Sequence, residues 1–520
     1  MTAAGNLYDS HPYPRLSYVH TTPDRMATVA TLLGLEAPPI ERCRVLEVGS
    51  AIGGNLIPMA MRMPDSTFLG IDLSANQTRA AQAQVERLGL QNISFLERDL
   101  AQFDDDLEPF DFIIAHGIYS WVPPAARQAL LELCAARLSE HGMANISYNT
   151  FPGWYGLLAI RRIMQDAARG IEDPEEQARA GADAVKFFRD VWPDNHPLGT
   201  FLRWYINLEE ARLEVNDRAT STLVLHDELS EYNDPVYLGE FVAAAEKAGL
   251  SYVADADLPA SFPNGVPDDV VAAISKRVRS AVEFEQHLDM LRNTTFRRSL
   301  LVRGKVEVQR RLRPDPAMMM QFSVRSRAVP EGSVEINDRA AAAFAIPAGA
   351  RLTTDHPLSK AAMLELRAAN PQSLSFRELA VRAWGRVEGH GQSAPPADQL
   401  TLLGANLLRG YTYNIDLIDL RLGLPNIAGS VTERPLVDEY TRTLALEGER
   451  VVSNRYHERV QLAPVQAFIL SLLDGTRDHT ALAHELEATM QAKPGSEQPD
   501  AGAIVSECLE FYAETGLFAG

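Results

Sequence analysis

Cysteine is nearly missing from this chain: among 520 residues there are three, Cys43, Cys134 and Cys508, far apart and with no CxxC pair. Neither a disulfide framework nor a structural zinc site is supported, so no metal is expected and each thiol reads as a small core filler. Long apolar runs are missing too. No stretch approaches the roughly 18 uninterrupted apolar residues of a membrane helix, and the start, MTAAGNLYDSHPYP, has no basic region followed by an apolar one. No membrane anchor and a cytoplasmic location are therefore expected. Positive charge is also short, with 49 Lys and Arg against 69 Asp and Glu, a formal balance of −20. That argues against nucleic acid, where phosphate contacts supply most of the affinity, and favours basic or neutral partners. What remains, 46% hydrophobic and 23% charged residues, describes a globular protein. Its length suits about two to four domains.

The chain is organised around Arg44 to Asn55, RVLEVGSAIGGN. Val45, Leu46 and Val48 read as a short buried strand with Glu47 near its carboxyl end. Gly49, Gly53 and Gly54 then allow a tight turn into a helix opened by Leu56 and Ile57. Phe68 to Ile71 reads as a second strand ending in Asp72, about 20 residues past the glycines, where a ribose-binding acid belongs. Further strands follow at Ile93 to Leu96, Phe110 to Ala115 and Met143 to Ser147, with helices at Ser74 to Leu88 and Pro123 to Leu138 between them. This alternation predicts a doubly wound parallel α/β sheet. Late strands at Leu250 to Ala254 and Ser299 to Val302 complete the same sheet on this reading, with helical insertions at about 151–225 and 262–292. The first domain then spans 1–313, followed by a middle helical domain at 314–430 and a winged-helix-like domain at 431–520. Asp24 is expected to cap a helix carrying Met26, Val29 and Leu33, and Gln491 to Asp500 to form a flexible loop.

The glycines alone leave the nucleotide open, because Gly49-x-Ala51-x-x-Gly54 passes as a relaxed dinucleotide fingerprint. Glu47 argues against a pyrophosphate, which its carboxylate would repel, and is close enough to hydrogen-bond the methionine amino end of S-adenosylmethionine or to order the turn around it. Asp99, just after the third strand, is placed to meet an adenine amino group or else serves as a helix cap or solvated turn. The proline-rich arm at 6–25, carrying Tyr8, Tyr13 and Tyr18, either folds over the pocket or anchors by simple packing. Tyr119, Trp121, Tyr148, Asn149 and Trp154 follow strands four and five, on the edge where an acceptor enters; each taken singly reads as packing, and the cluster together as the acceptor's lining. His226 precedes the late helix and reads either as a proton relay or as a histidine capped by its neighbours.

The stretches YDSHPYP, SYVHTTPDRMATVATLLGL, RVLEVGSAIGGNLIPMA, FDFIIAHGIYSWVP, SYNTFPGW and HDELSEYNDPVYLGEF resemble the bacterial class I methyltransferases that carry a methyltransferase regulatory domain. The C-terminal LAPVQAFILSLLDGTRDHTALAHEL is similar to the winged-helix tail of the rickettsial protein-lysine methyltransferases. The resemblance implies a Rossmann-like methyltransferase sheet and S-adenosylmethionine held by Glu47, Gly49, Gly53, Asp72 and Asp99, with His116 and Gly117 near the methionine moiety. Ala51 departs from the commoner class I glycine, and its methyl narrows the approach to the cofactor. The absence of a DPPY or NPPY tetrad after strand four argues against nucleobase or glutamine acceptors.

The function expected is methyl transfer to a protein substrate, most readily to lysine amines, by in-line displacement. Tyr119 and His226 are the candidate catalytic residues, with Tyr8, Trp121, Tyr148, Asn149 and Trp154 on the substrate side. The alternatives are methylation of a small molecule or natural-product intermediate, and a non-catalytic module that senses S-adenosylmethionine. The tail is expected to make protein contacts or to dimerise the chain rather than to bind DNA, since no basic recognition helix is present.

Overall fold

The computed structural model describes residues 9–100, 107–213, 218–387, 393–490 and 500–519. Seven strands make the central sheet: β1 (Arg44–Val48), β2 (Thr67–Asp72), β3 (Ile93–Glu97), β4 (Phe110–Ala115), β5 (Leu138–Asn149), β6 (Leu250–Asp255) and β7 (Phe296–Arg303). Their order is β3-β2-β1-β4-β5-β7-β6. β1 to β5 are parallel, with Glu47 beside Gly70 of β2 and Ile114 of β4. The late strands join this sheet as expected, but β7 runs antiparallel to both β5 and β6, so the sheet is mixed. The strand order reverses between β1 and β4, which opens a crevice at their carboxyl ends.

Helices Leu56–Arg62, Ala75–Arg87 and Pro124–Arg137 connect the parallel strands. Ser74 starts the second of these by accepting from Gln77 N–H at 3.2 Å. Helices Trp154–Ala168, Pro174–Val191, Pro197–Leu213 and Arg218–Asp227 form the first insertion, packed on their own core of Ile160, Met164, Val185, Leu202 and Val224. The helix near the start runs Pro23–Leu32, with Thr22 preceding it. Asp24 is therefore not its cap but lies in its first turn and pairs with Arg421 Nη1 at 3.1 Å.

Beyond the sheet, 314–430 is not purely helical. β8 (Phe322–Arg325) sits between β12 (Leu374–Ser375) and β13 (Asp419–Leu422), and β9 (Val329–Pro330), β10 (Ala342–Ala345) and β11 (Arg351–Thr354) make a second small sheet. Strands of two to four residues are too short to show a period of two in sequence. The tail holds helices Glu439–Leu446, Pro464–Ser471, His479–Thr489 and Ala501–Glu514 with the hairpin β14 (Val451–Ser453) and β15 (Arg459–Gln461). Of the expected 491–500 loop, 491–499 lie outside the described residues, and Asp500 instead caps the last helix through Gly502 and Ala503 N–H.

One apolar cluster runs without interruption from Met26 and Val29 through Val45, Phe112 and Leu300 of the sheet to Phe322, Leu366, Tyr411, Leu482 and Tyr512. The tail thus shares its core with one face of the sheet. All three cysteines are buried and free. Among the described residues, no helix is long and apolar enough to cross a membrane.

Candidate active site

The turn after β1 is built by backbone conformations that follow from its sequence. Gly49 and Gly53 have φ of +71° and +80°, a region open to glycine at no steric cost. Ala51 shares the left-handed region at φ +47° without being glycine, and its N–H donates to Asp72 Oδ2 at 2.8 Å. Asp72 Oδ1 accepts from Ser74 N–H at 2.9 Å. Each oxygen keeps a second lone-pair direction, so the carboxylate still suits a pair of hydroxyl donors. Gly54 answers to a different need: a Cβ there would lie 2.7 Å from the backbone of Arg15, where the N-terminal arm crosses the turn.

Glu47 is 3% exposed at the end of β1. Its Oε1 accepts from Asn55 Nδ2 at 2.7 Å, and its Oε2 has no hydrogen-bond donor among the described residues. Burial pushes its carboxyl up to about 8, opposed by the Asn55 bond and helped by the Asp72 charge. An ammonium would satisfy the open oxygen and bring that value down. The fit to S-adenosylmethionine therefore rests on a buried acid short of a cation beside an acid suited to a ribose.

The remaining expected cofactor residues lie on the turns after β3 and β4. Arg98 N–H donates to the Asp72 carbonyl at 2.8 Å, which holds the turn of exposed Asp99 beside the end of β2. Gly117, at φ +69°, donates its N–H to Ser147 Oγ at 2.8 Å, linking the ends of β4 and β5. The His116 ring lies 3.7 Å from that of Tyr18, centroid to centroid, and its Nδ1 is buried without a partner among the described residues. Burial holds its imidazole neutral, well below the ordinary histidine range.

On the acceptor side the residues divide. Trp121 has a buried Nε1 without a partner among the described residues, Asn149 Nδ2 donates to Asn233 Oδ1 at 2.7 Å, and Trp154 opens the first inserted helix. Tyr119 and Tyr148 meet a different environment from the open edge expected. Both pack on Phe241 within the apolar core, and Tyr148, 0% exposed, shares a 2.9 Å hydrogen bond with Ser299. Tyr8 lies outside the described residues. His226 is buried at the end of its helix with Nε2 at 2.6 Å from the His11 carbonyl and the Tyr13 ring beside it, and burial lowers its basicity.

The arm is what joins these groups. Asp9 accepts from Ser74 Oγ at 2.6 Å, His11 meets His226, Arg15 crosses Gly54, and Tyr18 N–H donates to Asn55 Oδ1 at 2.9 Å. It lies across the carboxyl ends of β2, β1 and β4. Sequence reasoning did not single out Asn55, Thr21 or His457, which touch the same network. Asn55 stood inside the glycine stretch, whereas His457, 402 residues away, gave no local signal.

A parallel core with an acid at the end of β1, an acid at the end of β2 and an open crevice at the strand-order reversal defines a class I methyltransferase fold. Three family profiles match in order: "Methyltransferase domain" at 45–142, "Predicted methyltransferase regulatory domain" at 220–303, and "PKMT, C-terminal winged helix domain" at 433–506. The uncharacterized protein RP028 of Rickettsia prowazekii is 33% identical over 241 residues, covering 46% of this chain and 94% of that protein. RP789 of the same organism is 28% identical over 484 residues, 92% of this chain and 85% of that protein. The solved structure of PKMT2 from Rickettsia typhi superposes with a TM-score of 0.85 at 23% identity, covering 98% of this chain and 100% of that one. The chain belongs to this family of bacterial S-adenosylmethionine-dependent methyltransferases with a regulatory domain and a winged-helix tail.

Proposed function

We propose that the chain transfers the methyl group of S-adenosylmethionine to the side-chain amine of lysine in a protein. The observation that carries the reading is the buried Glu47 carboxylate with one open oxygen, at the end of β1 before the Gly49 turn and within reach of the Asp72 charge. In this proposal Glu47 holds the cofactor's ammonium, Asp72 its ribose and Asp99 its adenine. Gly49 and Gly53 let the turn approach, and His116 and Gly117 line the methionine side.

Methyl transfer from a sulfonium needs a neutral nucleophile in line with the leaving sulfur and little water. A lysine amine, with an ordinary pKa of about 10.4, must first lose its proton. A site walled by aromatic rings favours the neutral amine, and a neighbouring sulfonium repels the charged one. Trp121, Asn149 and Trp154 are proposed to receive the acceptor, with Tyr119 and Tyr148 forming the wall behind them. His226, held neutral beneath the arm, is proposed to carry the released proton. The protein acceptor is supported by the tail's match to a PKMT winged-helix family and by a charge of −20 that suits a basic partner.

Incubation with methyl-labelled cofactor and a bacterial lysate tests this. Label in protein bands, released as methyl-lysine on hydrolysis, is the expected result. Label in an organic extract would make the acceptor a small molecule, and cofactor binding without any label would make the chain a sensor.

A further inference from the structure

The turn of the β14–β15 hairpin, far along the chain, reaches the glycine turn directly. Asn454 shapes it, its Oδ1 accepting from Tyr456 N–H at 2.9 Å and Glu458 N–H at 2.8 Å, which leaves His457 at φ +64°. His457 is buried, with Nε2 at 2.8 Å from Asn55 Oδ1 and Nδ1 at 3.2 Å from Arg62 Nη1. A guanidinium can only donate, so Nδ1 accepts, and the ring proton sits on Nε2 and is donated to Asn55. Burial and the Arg62, Arg421 and Arg459 charges keep the imidazole neutral, as this tautomer requires.

Asn55 precedes helix Leu56–Arg62 at its N-cap, yet its side chain makes no capping bond. It is committed elsewhere. Its oxygen accepts from His457 and from Tyr18 N–H, while its Nδ2 donates to Glu47 Oε1 at 2.7 Å and to Thr21 Oγ1 at 3.1 Å. The His457 and Tyr18 donors, with Thr21 Oγ1 at a longer 3.4 Å, fix which end of the amide faces the acid. Without the His457 proton, that orientation rests on Tyr18 N–H and the longer Thr21 Oγ1 contact at 3.4 Å, and the reversed amide would set its oxygen against a carboxylate.

We propose that His457 is a positioning residue of the cofactor pocket: acting through Asn55, it orients the Glu47 carboxylate toward the ammonium of S-adenosylmethionine. The C-terminal domain thereby becomes part of the cofactor site. The proposal rests on the reading of Glu47 as the acid that meets the cofactor. Arg62 completes the link, since it also holds Ser453 through Oγ at 3.3 Å and the carbonyl at 3.2 Å.

The test compares His457→Phe, which keeps ring volume but neither bond, with His457→Gln, which can accept from Arg62 and donate to Asn55. Two quantities are read in full-length protein: the affinity for S-adenosylhomocysteine by calorimetry, and the titration of the Glu47 carboxyl by carbon-13 NMR without ligand. The titratable groups facing Glu47 are Asp72 and Tyr18, which both variants leave in place. His457→Phe is expected to weaken binding by about tenfold, the scale of one buried hydrogen bond. It should also move the Glu47 midpoint upward, and His457→Gln should restore both. Arg62→Gln, which frees the tautomer without touching the pocket, should move both in the same direction by less, and it serves if His457→Phe does not fold. An unchanged Glu47 midpoint in a folded His457→Phe protein would overturn the proposal. Wild-type affinity in Glu47→Gln would instead overturn the cofactor role of Glu47, and is told apart because the midpoint in His457→Phe would still move.

Discussion

Ala51 N–H donates to Asp72 Oδ2 at 2.8 Å, so a single carboxylate ties the turn after β1 to the end of β2. Asp72 anchors the turn on which the proposed cofactor would lie and, in the proposal, also accepts the ribose hydroxyls. Replacing it with alanine removes both at once. Charge-assisted hydrogen bonds contribute roughly 1.5–3 kcal/mol each, so Asp72→Ala should weaken S-adenosylhomocysteine binding by more than about 100-fold. Asp72→Asn, which keeps one acceptor, should fall between. Calorimetry decides it, and wild-type affinity in Asp72→Ala would remove Asp72 from the pocket.

Ala51 is a non-glycine residue in the left-handed region, at φ +47°. That conformation costs an L-residue roughly 1–2 kcal/mol, whereas glycine loses roughly 0.5–1 kcal/mol through its freer unfolded chain. Ala51→Gly is therefore expected to raise stability by about 0–1.5 kcal/mol. Denaturant unfolding checks the sign. A clear loss of stability would mean that the Ala51 methyl makes packing contacts that outweigh its strain.

How much of this could be read in the sequence depends on how local each feature is. β1 to β5 and the acids Glu47 and Asp72 were legible because strand, glycine turn and helix recur within a few tens of residues. β7 was legible as a strand but not as an antiparallel one, since an apolar run carries no direction. The core positions of Tyr119 and Tyr148 depend on Phe241, and the orientation of Asn55 on His457. Such partners, brought together only by tertiary packing, leave no spacing to read.

Glu47 gives the pocket a pH dependence with a definite sign. Its carboxyl is raised to about 8 in the folded ligand-free protein. Folded protein thus holds a proton that unfolded chain releases near the ordinary glutamate value of about 4.3. Its contribution to stability is full below that value and is lost as pH rises through about 8. Cofactor binding runs the other way, because an ammonium partner needs the ionised acid. Affinity should rise with pH, approaching tenfold per unit below about pH 8, with a proton released on binding. Calorimetry in buffers of different ionisation enthalpy measures that proton, and Glu47→Gln should abolish the release.

His226 sits beneath the arm, its Nε2 at 2.6 Å from the His11 carbonyl, and burial lowers its basicity. A proton relay in the proposed reaction would make turnover depend on this ring. His226→Gln keeps a donor toward His11 but cannot relay a proton at neutral pH. It should lower kcat by about 100-fold or more, flatten the acidic limb of the pH profile, and leave cofactor affinity within about threefold. If turnover survives with the same profile, the histidine serves to hold the arm.

Asp419 lies at the centre of a buried ion cluster that joins the first helix, the small sheet and the tail. Its Oδ2 is 3.0 Å from Arg25 Nη2, 3.2 Å from Arg325 Nη2 and 3.0 Å from Arg421 Nε. Arg325 also pairs with Glu458 and lies over the Tyr456 ring at 3.6 Å, on the turn that presents His457. The three arginines hold the Asp419 carboxyl below its ordinary range against the pull of burial. Removing one partner of such a cluster leaves buried charge uncompensated, so Asp419→Asn should cost about 3–5 kcal/mol of stability. The lowered acid contributes stability that is present above its unfolded value of about 3.9 and is lost as pH falls below it. The variant should therefore unfold more readily at neutral pH and lose less on acidification than the wild type. Because the cluster also seats the His457 turn, cofactor affinity should drop with it, whereas an equally destabilising cut in the inserted helices, such as Leu202→Ala, should leave affinity unchanged while the protein stays folded.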